Sequence, residues 1–193
     1  MKTDIILAGV GGQGILSIAS ILGDAALKDN LYIKQAETHG MSQRGGAVVS
    51  HLRISGKIIH SDLIPQGTAD LILAVEPMEA LRYLPFLKTD GYIVSNSKPF
   101  QNIANYPNIC EIITEIQKQP RCVVIDADDI AGNIGNSKTS NMVILGAATH
   151  FIQIAPEKIE ESIKNVFARK GAEIIKINLR AFWAGRQFTA KNI

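Results

Sequence analysis

Short apolar runs that end in glycine or proline alternate with longer stretches whose apolar residues recur every three or four positions. Residues 4–8, DIILA, form the first run and stop at a glycine. Helical spacing follows, with Ile15, Ile18, Leu22 and Ala26 on one face and Ala19 and Gly23 small enough for close approach. LYIKQAE at 31–37 reads as a second strand, with Asn30 as turn punctuation before it. AVVSHLRI (47–54) and IIHSDLI (58–64), separated at Gly56, read as a hairpin. In the first of these, Val48, Ser50, Leu52 and Ile54 share one face, and Val49, His51 and Arg53 share the other. DLILAV at 70–75 is an unbroken apolar run, the pattern of a strand covered on both sides.

EPMEALRYL then starts a short helix with Pro77 in its first turn, where a missing N–H costs nothing, and Pro85 stops it. GYIVSN (91–96) and CVVIDAD (122–128) are further strands, and ICEIITEIQKQ between them has the spacing of a helix. From residue 140 the pattern is helical. SNMVILGAATHFI is apolar throughout, with Ser140 as its expected cap. PEKIEESIKNVFARKG carries Ile159, Ile163, Val166 and Phe167 on one face, acids early, bases late and Gly171 at the end. KINLRAFWAGRQF reads as a last helix whose Leu179, Phe182, Trp183 and Phe188 fit either a core or a partner face. Strands alternating with helices, then helices alone, describe an α/β fold: a single-domain, Rossmann-like open sheet over residues 1–193, mostly parallel with one hairpin and helices on both faces.

Composition narrows the function more than the fold. The chain has 20 basic and 18 acidic residues and a net charge of +2 with no basic stripe, which argues against nucleic acid as the partner. Its two cysteines, Cys110 and Cys122, cannot build a disulfide framework, a zinc site or an iron–sulfur cluster, and both read as small buried thiols. No apolar run has the length of a membrane span, and MKTDIILAGVGGQG makes a poor signal peptide, so the expected compartment is the cytoplasm.

Candidate chemistry gathers in two glycine-rich segments. GVGGQG (9–14) follows a strand and opens a helix, and Gly9, Gly11 and Gly14 fit the dinucleotide fingerprint, with Gly12 and Gln13 between them. Glu37 ends the second strand, where an acid could hold a ribose hydroxyl, although it lies farther along the chain than the usual ~20 residues. A tight strand–helix turn needs glycine with or without a ligand, so a nicotinamide cofactor, another phosphate and plain packing all remain readings of this loop. In ETHGMSQRGGAVVSHLRI (37–54), Gly40, Gly45 and Gly46 free the backbone for close approach, and Arg44 offers a donor fork suited to carboxylate or phosphate. His39, Ser42 and Gln43 add a titratable group and two neutral ones. Loops at strand carboxyl ends gather along one rim, so the two segments are expected to face each other across an anion-tolerant cleft or a docking surface. His51 and His60 read as a cross-strand surface pair, His150 as a satisfied core histidine, and the Asp126, Asp128 and Asp129 cluster as the cap of the next helix. No nucleophile, metal cage or catalytic triad emerges, and catalytic residues are assigned to none of these positions.

GVGGQG, ETHGMSQRGGAVVSHLRI, LIPQGTADLILAVEPMEALRYL and SNMVILG together resemble the gamma-type subunit family of 2-oxoacid:ferredoxin oxidoreductases, and within it the small-subunit type of the indolepyruvate enzymes. The resemblance implies a thiamine-diphosphate-dependent oxidative decarboxylation of an aryl 2-oxoacid, with coenzyme A taking up the acyl group and electrons passing to ferredoxin. It implies that thiamine diphosphate, Mg and 4Fe–4S clusters belong to a large partner subunit, so that this chain is inactive alone. It also implies that the gamma-type chain packs near the active-site entrance and is associated with coenzyme A; homodimerisation is compatible with it. Gly9, Gly11, Gly12, Gln13 and Gly14 match the family's first loop, and Glu37, His39, Gly40, Ser42, Gln43, Arg44, Gly45 and Gly46 its second, the family commonly having alanine where Ser42 stands. Related gamma chains serve 2-oxoglutarate, pyruvate and 2-oxoisovalerate systems. The residues alone leave open a free-standing NAD(P)-binding enzyme and an interaction module with structural glycine loops.

Overall fold

The computed structural model describes residues 1–39, 46–101 and 103–192, and of His39 the backbone alone. One six-stranded sheet organises them, in the spatial order β2-β3-β1-β4-β5-β6. The strands are β1 (Lys2–Val10), β2 (Tyr32–His39), β3 (Ala47–Ser55), β4 (Ala69–Ala74), β5 (Leu87–Asn96) and β6 (Cys122–Ile125). β1, β4, β5 and β6 pair in parallel, whereas β3 runs antiparallel between β1 and β2.

The helices are α1 (Ile15–Lys28), α2 (Pro77–Arg82), α3 (Ile109–Gln117), α4 (Ala127–Ile134), α5 (Ser140–Ala148), α6 (Pro156–Val166) and α7 (Ala172–Asn192). Period-two alternation in the strands splits the core. Ile5, Leu7, Leu52, Leu71 and Val94 pack with α1 and α4–α7, while Ile6, Ala8, Val49, Ile72 and Ile93 pack with α2 and α3. In β1 every residue from Thr3 to Val10 is buried, as expected of a central strand. α5 is buried on every side from Asn141 to Ala148, which its uniformly apolar sequence permits. It crosses α7 at two glycines: a Cβ at Gly146 would lie 1.9 Å from the Phe182 carbonyl oxygen, and one at Gly185 would lie 1.9 Å from that of Val143.

Four local expectations need correction. β3 forms its hairpin with β2, not with residues 58–64, which carry no strand. That segment is instead a loop held by side chains. The Arg53 guanidinium donates to both carboxylate oxygens of buried Asp4, at 2.9 and 3.0 Å, and to the carbonyls of Ser61 and Leu63. His51 accordingly does not pair with His60; its Nδ1 accepts the Ile64 N–H at 3.1 Å, and its ring meets Phe86 edge-on. Ser140 is the first residue of α5 rather than its cap, which is Thr139 and makes no side-chain capping bond. Cys110 is exposed, because it sits on the outer face of the amphipathic α3 opposite Ile112 and Ile116.

Elsewhere the local chemistry matches. Asp126 caps α4 by accepting the Asp129 N–H at 2.9 Å, and Asn30 takes a positive φ of 55° in the turn before β2. The His150 Nε2–H donates to the Arg186 carbonyl at 3.0 Å. Phe182 is fully buried, and the Trp183 indole N–H donates to Glu160 at 2.8 Å. No helix among the described residues is long and apolar enough to cross a membrane.

Candidate functional site

The connection leaving β1 runs toward β2 and β3, while those leaving β4 and β5 run the other way along the sheet. The carboxyl ends of β1 and β4 therefore border the switch point of the topology, where open α/β sheets leave a crevice. A cavity of about 380 Å³ occupies it, lined by Gly12, Gln13, Val75, Asn96, Phe100, Asp128, Lys138 and Ser140.

The glycine loop owes its shape to three contacts. Gln13 folds back so that its Oε1 accepts the Val10 N–H at 2.8 Å, and its Nε2 approaches the Val75 carbonyl at 3.4 Å. Gly12 and Gly14 hold φ of 102° and 83°, a backbone region that disfavours side chains. Gly14 also lies under Asn141, whose side-chain amide donates to the Gly14 carbonyl at 3.3 Å; a Cβ there would meet that amide nitrogen at 2.3 Å. Gly9 packs against Val75, where a Cβ would lie 2.3 Å from the valine side chain. The strands are thereby locked at their tips, since the Val75 N–H also donates to the Ala8 carbonyl at 2.9 Å.

Two helices of at least nine residues, α1 and α5, begin at this cavity, and neither has a side-chain cap. The positive ends of their dipoles lie there, although the Ser17 N–H of α1 already donates to the Gly14 carbonyl and the Ser140 N–H of α5 to that of Ser137. Lys138 brings a positive charge to it and makes no ion pair among the described residues. Asp128 is the acid of the lining, and its Oδ2 is already engaged by the Asn96 amide at 2.7 Å. Asn96 in turn accepts the Ala127 N–H at 3.1 Å, so one buried amide joins the tip of β5 to the start of α4. Chemically, the arrangement is a small polar cleft with two helix N-termini and one cation, suited to an anionic group.

Of the second segment singled out in the sequence, the last residue, Gly46, touches the first. The Gly11 N–H donates to the Gly46 carbonyl at 2.8 Å, which joins the first loop to the end of the second. Glu37 is not brought to the glycine loop. β3 intervenes between β1 and β2, so Glu37 stands two strand spacings, about 10 Å, from β1. There it accepts a bond from Gln35 at 3.2 Å. Gly40, Ser42, Gln43, Arg44 and Gly45 lie outside the described residues, as does the side chain of His39. Asn96, Phe100, Lys138 and Asn141 line or brace the cleft without having been singled out. Asn96 ends β5, Lys138 and Asn141 flank the start of α5 and Phe100 follows in the connection after β5, all near the strand ends to which the switch-point rule points.

Residues 4–188 match the family model of pyruvate ferredoxin/flavodoxin oxidoreductase. Indolepyruvate oxidoreductase subunit IorB of Archaeoglobus fulgidus is 37% identical over 96% of this chain and 94% of its own length. The solved 2-oxoglutarate:ferredoxin oxidoreductase of Magnetococcus marinus, with 2-oxoglutarate, coenzyme A and succinyl-CoA bound, superposes with a TM-score of 0.79 at 22% identity. That match covers 98% of this chain and 31% of the other, so this chain corresponds to under a third of that protein. The gamma subunit of a keto/oxoacid ferredoxin oxidoreductase from Geobacter sulfurreducens superposes with a TM-score of 0.69 at 24% identity, over 98% of this chain and 99% of that one. By its matched length and by its identity to full-length relatives, the chain belongs to the pyruvate ferredoxin/flavodoxin oxidoreductase family.

Proposed function

We propose that this chain is the small subunit of an indolepyruvate:ferredoxin oxidoreductase, which carries out coenzyme A-dependent oxidative decarboxylation of an aryl 2-oxoacid. The observation that carries the reading is the 37% identity to an indolepyruvate oxidoreductase subunit along almost the full length of both chains. A large cytoplasmic partner subunit supplies thiamine diphosphate with its Mg and the 4Fe–4S clusters, and the assembled complex reduces ferredoxin. The donor set of this chain agrees with that division, since two cysteines, one exposed on α3 and one on β6, cannot ligate a cluster.

The contribution of this chain is the switch-point cleft. The 9–14 loop, the starts of α1 and α5 and Lys138 offer positive potential to the anionic portion of coenzyme A, and Gly46 borders the loop through its bond from Gly11. Co-expression with the candidate large subunit tests the reading. The complex is expected to reduce ferredoxin only when indolepyruvate and coenzyme A are both present, and the isolated chain is expected to be inert. A panel of indolepyruvate, pyruvate, 2-oxoglutarate and 2-oxoisovalerate fixes the substrate class. A chain that assembles with no thiamine-bearing partner, or a complex inert to all four acids, refutes the proposal.

A further inference from the structure

The mouth of the cleft carries an aromatic side chain that its own packing does not explain. Phe100 lines the cavity from the connection after β5, is 43% exposed, and makes no ring contact among the described residues. Its backbone is nevertheless held. The Phe100 N–H donates to Oε1 of Glu76 at 3.4 Å, and the same oxygen accepts a very short hydrogen bond from the Tyr106 hydroxyl. Oε2 of Glu76 accepts the Glu79 N–H at 3.0 Å, which caps α2. Glu76 is 0% exposed. A carboxylate so fully withdrawn from water is tolerated only when its lone pairs are taken, and among the described residues two of its donors come from one connection, at Phe100 and Tyr106. Burial first, and the bond to Glu76 second, push the Tyr106 phenol above its ordinary range, so it keeps the proton that it donates.

We propose that Phe100 is the platform on which the adenine ring of coenzyme A stacks, and that Glu76 and Tyr106 are positioning residues that set that platform at the rim of the cleft. The proposal rests on the reading of the cleft as the coenzyme A site. Every nucleobase has a π-face, and an exposed ring on a backbone held at the rim offers one to a base that enters the cleft. Lys138 and the two helix starts lie within the same cleft, so phosphate and base are received by separate elements of one wall.

The experiment uses the assembled complex and reads the KM for coenzyme A, the KM for the oxoacid and kcat. Phe100→Ala is expected to raise the KM for coenzyme A about ten-fold, the loss typical of one base–aromatic stack. Phe100→Trp is expected to restore it, with the oxoacid KM and kcat unchanged throughout. Adenosine 3′,5′-bisphosphate, which has the base but no thiol, is expected to compete with coenzyme A and to lose about the same ten-fold in Phe100→Ala. Tyr106→Phe keeps the ring and removes the clamp donor; it is expected to raise the coenzyme A KM severalfold with kcat held. An unchanged coenzyme A KM in Phe100→Ala overturns the platform. Lys138→Ala separates the two levels: if it raises that KM while Phe100→Ala does not, the platform fails and the cleft reading stands. If neither variant moves it, both fail.

Discussion

The crossing of α5 and α7 sets the position of Lys138 and Ser140, and it can be perturbed by one methyl group. In Gly185→Ala the new Cβ would lie 1.9 Å from the Val143 carbonyl oxygen, 2.7 Å from its carbon and 3.0 Å from its Cα, whereas real Cβ atoms essentially never approach closer than 3.0 Å. The helices must therefore part by about 1.1 Å along that line. No rotamer relieves the clash, because backbone lies on both sides, and α5 cannot retreat because it is buried all round. Overpacking of this kind sits at the upper end of its usual range, about 3 kcal/mol. The better helix propensity of alanine returns about 1 kcal/mol, leaving a net loss of about 2 kcal/mol. For a chain of this size that lowers Tm by about 4–8 °C. Gly132→Ala in α4 is the matched control: nothing lies within 4 Å of its added Cβ, and the residue is exposed. It is expected to gain about 0.5–1 kcal/mol from propensity alone. Thermal melts and urea titrations of the two variants give opposite signs if the crossing is as close as described. Equal stabilisation by both substitutions would refute the reasoning.

Three further outcomes follow from the network around the sheet ends. Asp4→Ala leaves Arg53 without its buried bidentate partner and is expected to cost about 3–5 kcal/mol by urea titration, whereas the Asp4→Leu/Arg53→Met pair recovers most of that; equal losses in single and double variants would contradict it. Gln13→Ala strips the Val10 N–H, whose residue is 1% exposed, of its acceptor, and is expected to cost about 1–2 kcal/mol in the same titration. Burial, helped by the nearby Arg53 and opposed by Asp62, holds the His51 imidazole below its ordinary value of 6.5, so the unfolded chain binds the proton more readily. Stability is therefore full above pH 6.5 and declines as pH falls through the lower folded value, and the fall in Tm between about pH 7 and pH 5 should be smaller in His51→Gln.

The elements that sequence reasoning reached are those whose local signal and tertiary setting agree. β1, β4 and α5 are continuous apolar runs, and each is buried on more than one side. Asp126 and Pro77 declare helix starts through their own chemistry. The mistaken hairpin arose where two partners had equal local claims. IIHSDLI has the composition of a strand, and long-range bonds from Arg53 to Ser61 and Leu63 and from Ile64 to His51 hold it as a loop. The Glu76–Tyr106 contact spans 30 positions and has no periodicity to betray it.

That same hairpin decides what the glycine loop can mean. In a dinucleotide-binding sheet the acid that holds the ribose ends the strand beside β1, so its side chain reaches across one strand spacing. Here the neighbour of β1 is β3, which runs antiparallel and brings its start, Gly46 and Ala47, to the end of β1. The glycines thus serve the backbone, in a tight turn and a close contact with Asn141 at the start of α1, while the residue that would select a nicotinamide ribose is carried two strands away. A loop that keeps the phosphate geometry and loses the ribose acid is suited to ligands recognised by charge and by a base face. That is the combination offered by the α1 and α5 starts, Lys138 and Phe100 around a single cleft.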